Sequence, residues 1–368
     1  MVMIIVRNAL RDQIERASEG RQTVLYTAKG QPSYMNVVPL MTNDSLGIGG
    51  FDPHCAFIVS GRVCKEFFYG SYPGVIRAGE LLSLPGVAPG VAMNFEYANH
   101  AARSCGPGWH LSTNAERAAL MLWCRRQGFL VQGNTDAGRS IGMASEHGCR
   151  VDGGQLGDAQ GDPATLTGSG PLSWRHDHTR WGIADLCGNL WEWQAGLRLV
   201  DGEIQIIRDN DAVHADLSRT SAAWTALRLT DGEDVASCSQ GSAKFDAPVH
   251  CIEGNAGTPI LRTRILHHSG PIADDTNHPG LMDAPFRCIR PEPGISIPAR
   301  LHALGLMAIT TQDGSAQVYL RNYGERIFMS GGAWYSGHNA GLDALCLSHP
   351  RTHASSTVGA RPSCISLR

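Results

Sequence analysis

The chain has 368 residues, of which 18% are charged and 42% hydrophobic, with a formal net charge of -3. That is too apolar and too weakly charged for a disordered protein, and it gives no overall basic field for nucleic acid. The 43 glycines and 19 prolines point to a loop-heavy fold rather than a helical bundle, and the length allows one large domain or two.

The first residues, Met1 to Val6, form an apolar run too brief for a signal-peptide core, with no cationic leader before it. No stretch approaches the roughly 18 apolar residues of a membrane helix. The expectation is a chain made in the cytoplasm and not inserted in a membrane. Assembly into a virus particle released by lysis fits equally well. The 11 cysteines contain no C-x-x-C pair, so a zinc ribbon or thioredoxin motif is unsupported, and buried reduced thiols are expected.

Residues 1–51 read as a small N-terminal attachment or oligomerisation unit. A short helix is expected over Arg7–Ala17, then strands at Thr23–Thr27 and Tyr34–Leu40 joined as a hairpin across Lys29-Gly30. Strand signals follow at Ala56–Val59 and Glu66–Tyr69. A helix is expected over Met93–Ser104, stopped by Gly106-Pro107-Gly108. A second is marked by the capping box of Thr113 and Glu116, an apolar face over Ala118–Cys124, and Gly128 as C-cap. Residues 133–170 and about 209–277 read as loop zones, with a strand-like piece at Pro259–Ile265. Near the end, Leu342–Ser348 reads as a strand with Leu345 and Leu347 toward a core, and Cys346 and Ser348 on the presented face.

Three segments in order carry a family resemblance. Cys105–Cys124, CGPGWHLSTNAERAALMLWC, resembles the G-x-R-L-P-T-x-A-E-W-E helix entry of formylglycine-generating (sulfatase-modifying) enzymes. Trp181–Trp193, WGIADLCGNLWEW, resembles their G-L-x-D-M-x-G-N-V-W-E-W signature. Ser330–Trp334 with Val358–Arg361, SGGAW…VGAR, resembles their R-G-G-S-W…G-F-R ending. The resemblance covers residues 52–368 and implies an α+β, loop-rich, C-type lectin-like fold of that superfamily.

Those enzymes carry two cysteines just after the G-G-S-W element, a thiolate pair suited to Cu(I). Here Tyr335 to Gly341 contains none, and Cys346 and Cys364 stand apart. The departure argues against the oxidase and toward the non-enzymatic variable proteins of diversity-generating retroelements, often phage-tail receptor-binding proteins. The stretch from Gly331 to about residue 364 is similar to their variable region. There, template adenines are replaced at random, so an AAC codon becomes NNC, which cannot encode Lys, Glu, Gln, Met or Trp. Every residue from Tyr335 to Thr357 belongs to the permitted set.

The resemblance implies a changeable ligand-binding set of Tyr335, Ser336, His338, Asn339, Asp343, Cys346, Ser348, His349, Arg351, His353, Ser355, Ser356 and Thr357. Gly331, Gly332, Trp334 and Arg361 form its scaffold. No cofactor is required. Asn189 and Glu192 either help hold a structural calcium, as in the resembling enzymes, or lie in a hydrogen-bond network beneath Trp191 and Trp193. The implied partner is a host bacterial surface protein or glycan, met by a phage tail on which a homo-oligomer, such as a trimer, multiplies weak affinity. The rival readings are a formylglycine-generating-like oxidase and a prophage-encoded cell-surface ligand binder. His176-Asp177-His178 reads as a hydrogen-bonded loop in preference to a zinc site.

Overall fold

The computed structural model describes residues 8–251, 253–270, 280–310 and 314–366; Arg7, where the first helix was expected to begin, lies outside them. Helix Ala9–Ala17 opens where the Asn8 side chain accepts the Arg11 N–H at 3.0 Å. Helix Phe95–Arg103 opens at Asn94, whose side chain accepts from Tyr97 N. Helix Asn114–Gln127 carries the capping box in full: Thr113 Oγ1 accepts from Glu116 N at 3.2 Å, and Glu116 Oε2 accepts from Thr113 N at 3.1 Å. It stops at Gly128, in the left-handed region with φ 76°, where a Cβ would be strained. Residues 114–122 are buried on every side, so this helix is an internal strut. Its buried Arg117 donates to Leu186 O at 2.7 Å and Ser330 Oγ at 3.2 Å.

Strands dominate over the four α-helices among the described residues, so the expected α+β class becomes a mostly β, loop-rich architecture. One sheet runs Gln22–Tyr26, Pro32–Pro39, Glu66–Gly70, Pro362–Cys364, Trp109–Leu111. The boundary expected at residue 51 is crossed by this sheet: Pro32–Pro39 pairs along its length with Glu66–Gly70, from Met35 opposite Gly70 to Pro39 opposite Glu66. By hydrogen bonding the N-terminal hairpin belongs to the same body as the C-terminus.

The larger sheet places Met282–Pro285, Gln317–Leu320, Gly341–His349, Glu325–Gly331, Trp191–Val200 and Glu203–Ile207 side by side. It continues through Lys244–Asp246, Ile260–Arg262 and Arg290–Pro291. Part of the expected 209–277 loop zone is therefore sheet, with Ile260–Arg262 falling within the strand-like piece expected at Pro259–Ile265. Its strands are two to four residues long, too short for a period-two pattern to show. The 133–170 zone holds only isolated bridges.

The Gly341–His349 strand is interior, between Gln317–Leu320 and Glu325–Gly331. Leu345 and Leu347 pack into one core with Leu197, Phe245 and Phe286. Ala344 and Cys346 pack into the other with Trp191, Trp193 and Phe95. The expectation that Cys346 and Ser348 face outward is therefore corrected: both are buried, because a second layer, including helix Phe95–Arg103, covers that face of the sheet.

The two sheets meet at Arg361. Val358–Ala360 pairs in parallel with Trp191–Val200 in the large sheet, and Pro362–Cys364 pairs with Glu66–Gly70 and Trp109–Leu111 in the small one. Arg361, between them and fully buried, donates to Glu192 at 2.6 and 2.9 Å, to Gly70 O at 2.9 Å and to Ala184 O at 3.0 Å. Burial works against its charge, but Glu192 more than offsets this, so its pKa sits above the ordinary value. No helix of the described residues is long and apolar enough to cross a membrane.

Two outcomes test this frame by urea unfolding. Thr113→Ala should cost about 1–2 kcal/mol, from loss of the cap and of its bond to Asn210 at 2.7 Å. Arg361→Met should cost about 3–5 kcal/mol, because Glu192 is left buried and unpaired; a change below 1 kcal/mol would show that the junction is not held this way.

Candidate ligand-binding site

The turn after Glu325–Gly331 forms a shelf. Gly331 and Gly332 both take positive φ, 98° and 86°, and a Cβ on Gly332 would come within 2.6 Å of the Ala340 side chain. The chain can therefore fold back on itself here only with glycine. The shelf backbone is tied from several directions: Trp334 N donates to Asn189 O at 3.0 Å, Ala137 N donates to Trp334 O at 2.9 Å, and Gly337 N donates to Thr135 O at 2.9 Å. Ser336 Oγ closes the turn by accepting from Ala333 N at 2.9 Å.

Side chains leave this fixed backbone outward. Tyr335 is 56% exposed, and His338 and Asn339 are also exposed. Trp334, half-buried, meets the Tyr335 ring edge-on at 5.2 Å. Asn339 Nδ2 donates to the Tyr319 hydroxyl at 3.2 Å. Tyr319 in turn meets Trp191 edge-on at 6.0 Å. Its phenol is pushed up, chiefly by burial, with Asp283, Cys346 and Tyr335 close enough to add to the shift. Tyr319 lies outside the expected variable stretch, and sequence reading missed it. The alternation of buried Val318 and Leu320 with half-buried Tyr319 is the one signal that marks it.

The supports beneath the shelf are polar. Asn189, with φ 62°, accepts from Thr165 N at 2.8 Å and Asn134 Nδ2 at 3.1 Å through Oδ1. Glu192 gives both oxygens to Arg361. The oxygens proposed for calcium are thus engaged by N–H donors of the protein itself, in a hydrogen-bond network. Next to it, the Arg150 guanidinium pairs with Asp152 at 2.8 Å and donates to Gln155 O at 2.6 Å and Gln160 O at 2.7 Å. That loop returns to the shelf through Gly157 N, which donates to Ala137 O at 2.9 Å.

The remaining expected site residues are divided. Arg351 is buried rather than presented: it holds Glu325 with two bonds of 2.6 Å and also pairs with Glu96. Its carbonyl accepts from Phe95 N at 3.1 Å. This corrects its assignment as a contact residue, since the guanidinium is spent on internal carboxylates. Thr357 is likewise buried, and its carbonyl accepts from Trp191 N at 3.0 Å. Ser356 is exposed, while Ser355, His349 and His353 are half-buried. His349 and His353 stack at 3.9 Å. Burial, then His353 and the neighbouring Arg321 and Arg326, hold the His349 ring down at about 3. Gly341–His349 spans roughly 26 Å at strand rise, so the shelf and the His349 end are separate patches.

A cleft of about 440 Å³ opens beside the shelf. Apolar walls come from Phe129, Leu130, Val131, Ile141 and Leu342, and polar groups from Arg125, Gln132, Thr135, His338 and Asp343. It therefore combines expected variable residues with the segment after helix Asn114–Gln127, whose role is invisible in sequence. Cys346 is not a metal or nucleophile candidate: burial pushes its thiol up, and it contacts Ser348 Oγ at 3.2 Å. Cys364 belongs to a different core. In the 176–178 loop, His176 Nδ1 accepts from Ile183 N at 2.8 Å and His178 Nε2 meets Leu130 O at 3.2 Å.

No protein-family model matches the chain, and no curated protein does. Among solved structures, it is similar to the Major Tropism Determinant I1 Variant, at 11% identity and a TM-score of 0.29, covering 91% of this chain and 56% of that one. The Major Tropism Determinant P3c Variant matches at 10% identity and a TM-score of 0.29, covering 94% and 63%. The chain spans less than two thirds of either.

The His349 ring has a pH consequence. Its folded pKa, about 3, lies below the ordinary 6.5, so the unfolded chain takes up the proton first. Stability from this group is present above pH 6.5 and is lost as pH falls toward 3. His349→Phe, which keeps a ring against His353, should flatten the fall in urea midpoint between pH 7 and pH 4.5; an unchanged slope would discount the buried ring.

Proposed function

We propose that this chain is a non-enzymatic receptor-binding protein, a variable protein of a diversity-generating retroelement on a C-type lectin-like scaffold of the formylglycine-generating-enzyme type. The observation that carries the reading is the shelf. Its backbone is held by bonds to Thr135, Ala137 and Asn189, while Tyr335, His338 and Asn339 project free of the core. Side chains there can change without refolding the protein, which is what a diversified contact surface needs. Every residue from Tyr335 to Thr357 also lies within the set reachable from NNC codons.

The contact set is narrower than the permitted codons allow. It centres on Tyr335, Ser336, His338 and Asn339, with Trp334 and Tyr319 as unvaried aromatic area and Ser356 on the second patch. Tyrosine and tryptophan supply rigid area, and serine, asparagine and histidine supply adaptable hydrogen bonds. The partner is a host bacterial surface protein or glycan, and the place of display is a phage tail, with several copies multiplying a weak single contact. The oxidase reading loses its support in the cysteines: no pair follows the shelf in sequence, and Cys346, the next thiol along the chain, is packed in a core and pushed away from the thiolate.

Codons 335–357 should differ among sister isolates while codons for the buried supports Asn134, Asn189 and Arg361 stay fixed, with a reverse-transcriptase gene and an adenine-rich template copy nearby. Uniform codons and no template would refute diversification. Tyr335→Ala, His338→Ala and Asn339→Ala should each change stability by no more than about 0.5 kcal/mol, as exposed substitutions do. Combined, they should lower adsorption to the recognised bacterial surface at least about tenfold. Undiminished adsorption would move the site elsewhere.

A further inference from the structure

We propose that the cleft beside the shelf is a binding site of its own, in which Arg125 is a permanent cation and residue 343 is the counter-charge that decides which ligands enter. With Asp343 in place it takes an uncharged group with a flat apolar body and turns carboxylates away. The part of this that concerns change between isolates rests on the reading of 335–357 as a diversified stretch.

The volume comes first. About 440 Å³ lies in the usual range for small-ligand pockets and holds one ring-sized group or one large side chain. The walls are mixed, about as polar as apolar, and two aliphatic side chains stand open at the rim: Leu130 is 74% exposed and Ile141 40%. These side chains offer apolar area to the flat body of a bound group, beside the polar groups that fix its orientation.

The charges come second. Arg125 and Asp343 are the charged residues of the lining. Arg125 stands at the end of helix Asn114–Gln127, and its two terminal nitrogens are buried without a hydrogen-bond acceptor. Asp343 Oδ2 is 3.7 Å away, too far for a hydrogen bond but close enough to offset the charge. The pair is assembled under Gly314, where a Cβ would fall 2.6 Å from Asp343 Oδ2 and 2.9 Å from Arg125 Nη2.

The two partners are held independently. The Arg125 guanidinium lies 5.3 Å from the centre of the Phe286 ring, and Asp343 Oδ2 accepts from Ala316 N at 3.1 Å. An amide at 343 can still accept that bond, so Asp343→Asn removes the negative charge and leaves the geometry. The guanidinium then stands unopposed at the wall of a concave pocket, where its field is screened less than at an open surface. Arg125 lies outside the changeable stretch and Asp343 inside it, and an aspartate codon ending in C turns into an asparagine codon by one substitution. A single change would therefore reverse the ligand preference of the cleft without altering its walls.

The test uses benzamide and benzoate, which share one ring and differ in charge, titrated into the full chain while backbone amide shifts are followed by NMR. In the native protein, benzamide should shift the amides of residues 129–132 and 337–342, and benzoate should bind more weakly. Asp343→Asn should raise benzoate binding relative to benzamide about tenfold, and Arg125→Met added to it should remove that gain. An unchanged benzoate-to-benzamide ratio in Asp343→Asn, or no shift at the cleft with either probe in any form, would overturn the proposal. Asp343→Asn decides the matter even if Arg125→Met fails to fold. A negative result leaves the shelf reading intact, because that reading is judged on codons and adsorption; uniform codons would remove variation between isolates and leave the cleft chemistry standing.

Discussion

The ion pair of Arg361 with Glu192 is the constraint on which the rest of the molecule depends. Arg361 sits where one short stretch of chain passes from the large sheet into the small one, and its guanidinium also collects carbonyls from Gly70 and Ala184. A buried ion pair adds little net stability compared with a well-packed apolar pair. Its effect is geometric: planar donors with fixed directions allow one arrangement of four segments and leave an unpaired charge in any other. The segment proposed to vary is thereby anchored at Arg361, four residues past Thr357, the last residue proposed to change.

At its other end the stretch is anchored by glycine conformation and by Asn189. Between these anchors the chain makes one excursion as a shelf, one pass as an interior strand, and one return over helix Phe95–Arg103. The three parts have different freedom. The shelf gives its backbone to the core and its side chains to solvent. The strand lends Gly341, Leu342 and Asp343 to the cleft and gives both faces to cores from Ala344 to Leu347. The return segment is pinned by Arg351 to Glu325 and Glu96. Belonging to the residue set that NNC codons encode is therefore not the same as having room to vary, which lies at the shelf, at Asp343 in the cleft and at the Ser356 patch. Bulky or charged replacements at Cys346 and Ser348 would carry a core penalty.

Several elements were legible because their signals are local. The capping box at Thr113 and Glu116 and the left-handed Gly128 bound their helix as read, and the Glu66–Gly70 and Gly341–His349 strands fall close to their expected limits. A cap concerns residues three apart, and a strand pattern concerns residues two apart, so neither needs the fold. Of the short strands between residues 209 and 277, only Ile260–Arg262 was legible, inside the strand-like piece at Pro259–Ile265; the others carry no period, and they are strands because Glu203–Ile207 pairs Trp224–Leu227 and Lys244–Asp246, and Trp224–Leu227 pairs Asp234–Val235.

By itself the sequence determined the chemistry available near the C-terminus: small and polar side chains, glycines that permit a tight return, and no thiolate pair for oxidase chemistry. It also determined the caps and breakers that set the helices. Tertiary structure alone decided which of those side chains meet solvent. Period-two alternation identifies two faces of a strand but says nothing of whether a second layer covers the outer one, and here it does. The cleft was likewise decided in three dimensions, since Arg125, Ile141, Gly314 and Asp343 come from distant parts of the chain and share a wall only after both sheets have closed around helix Asn114–Gln127.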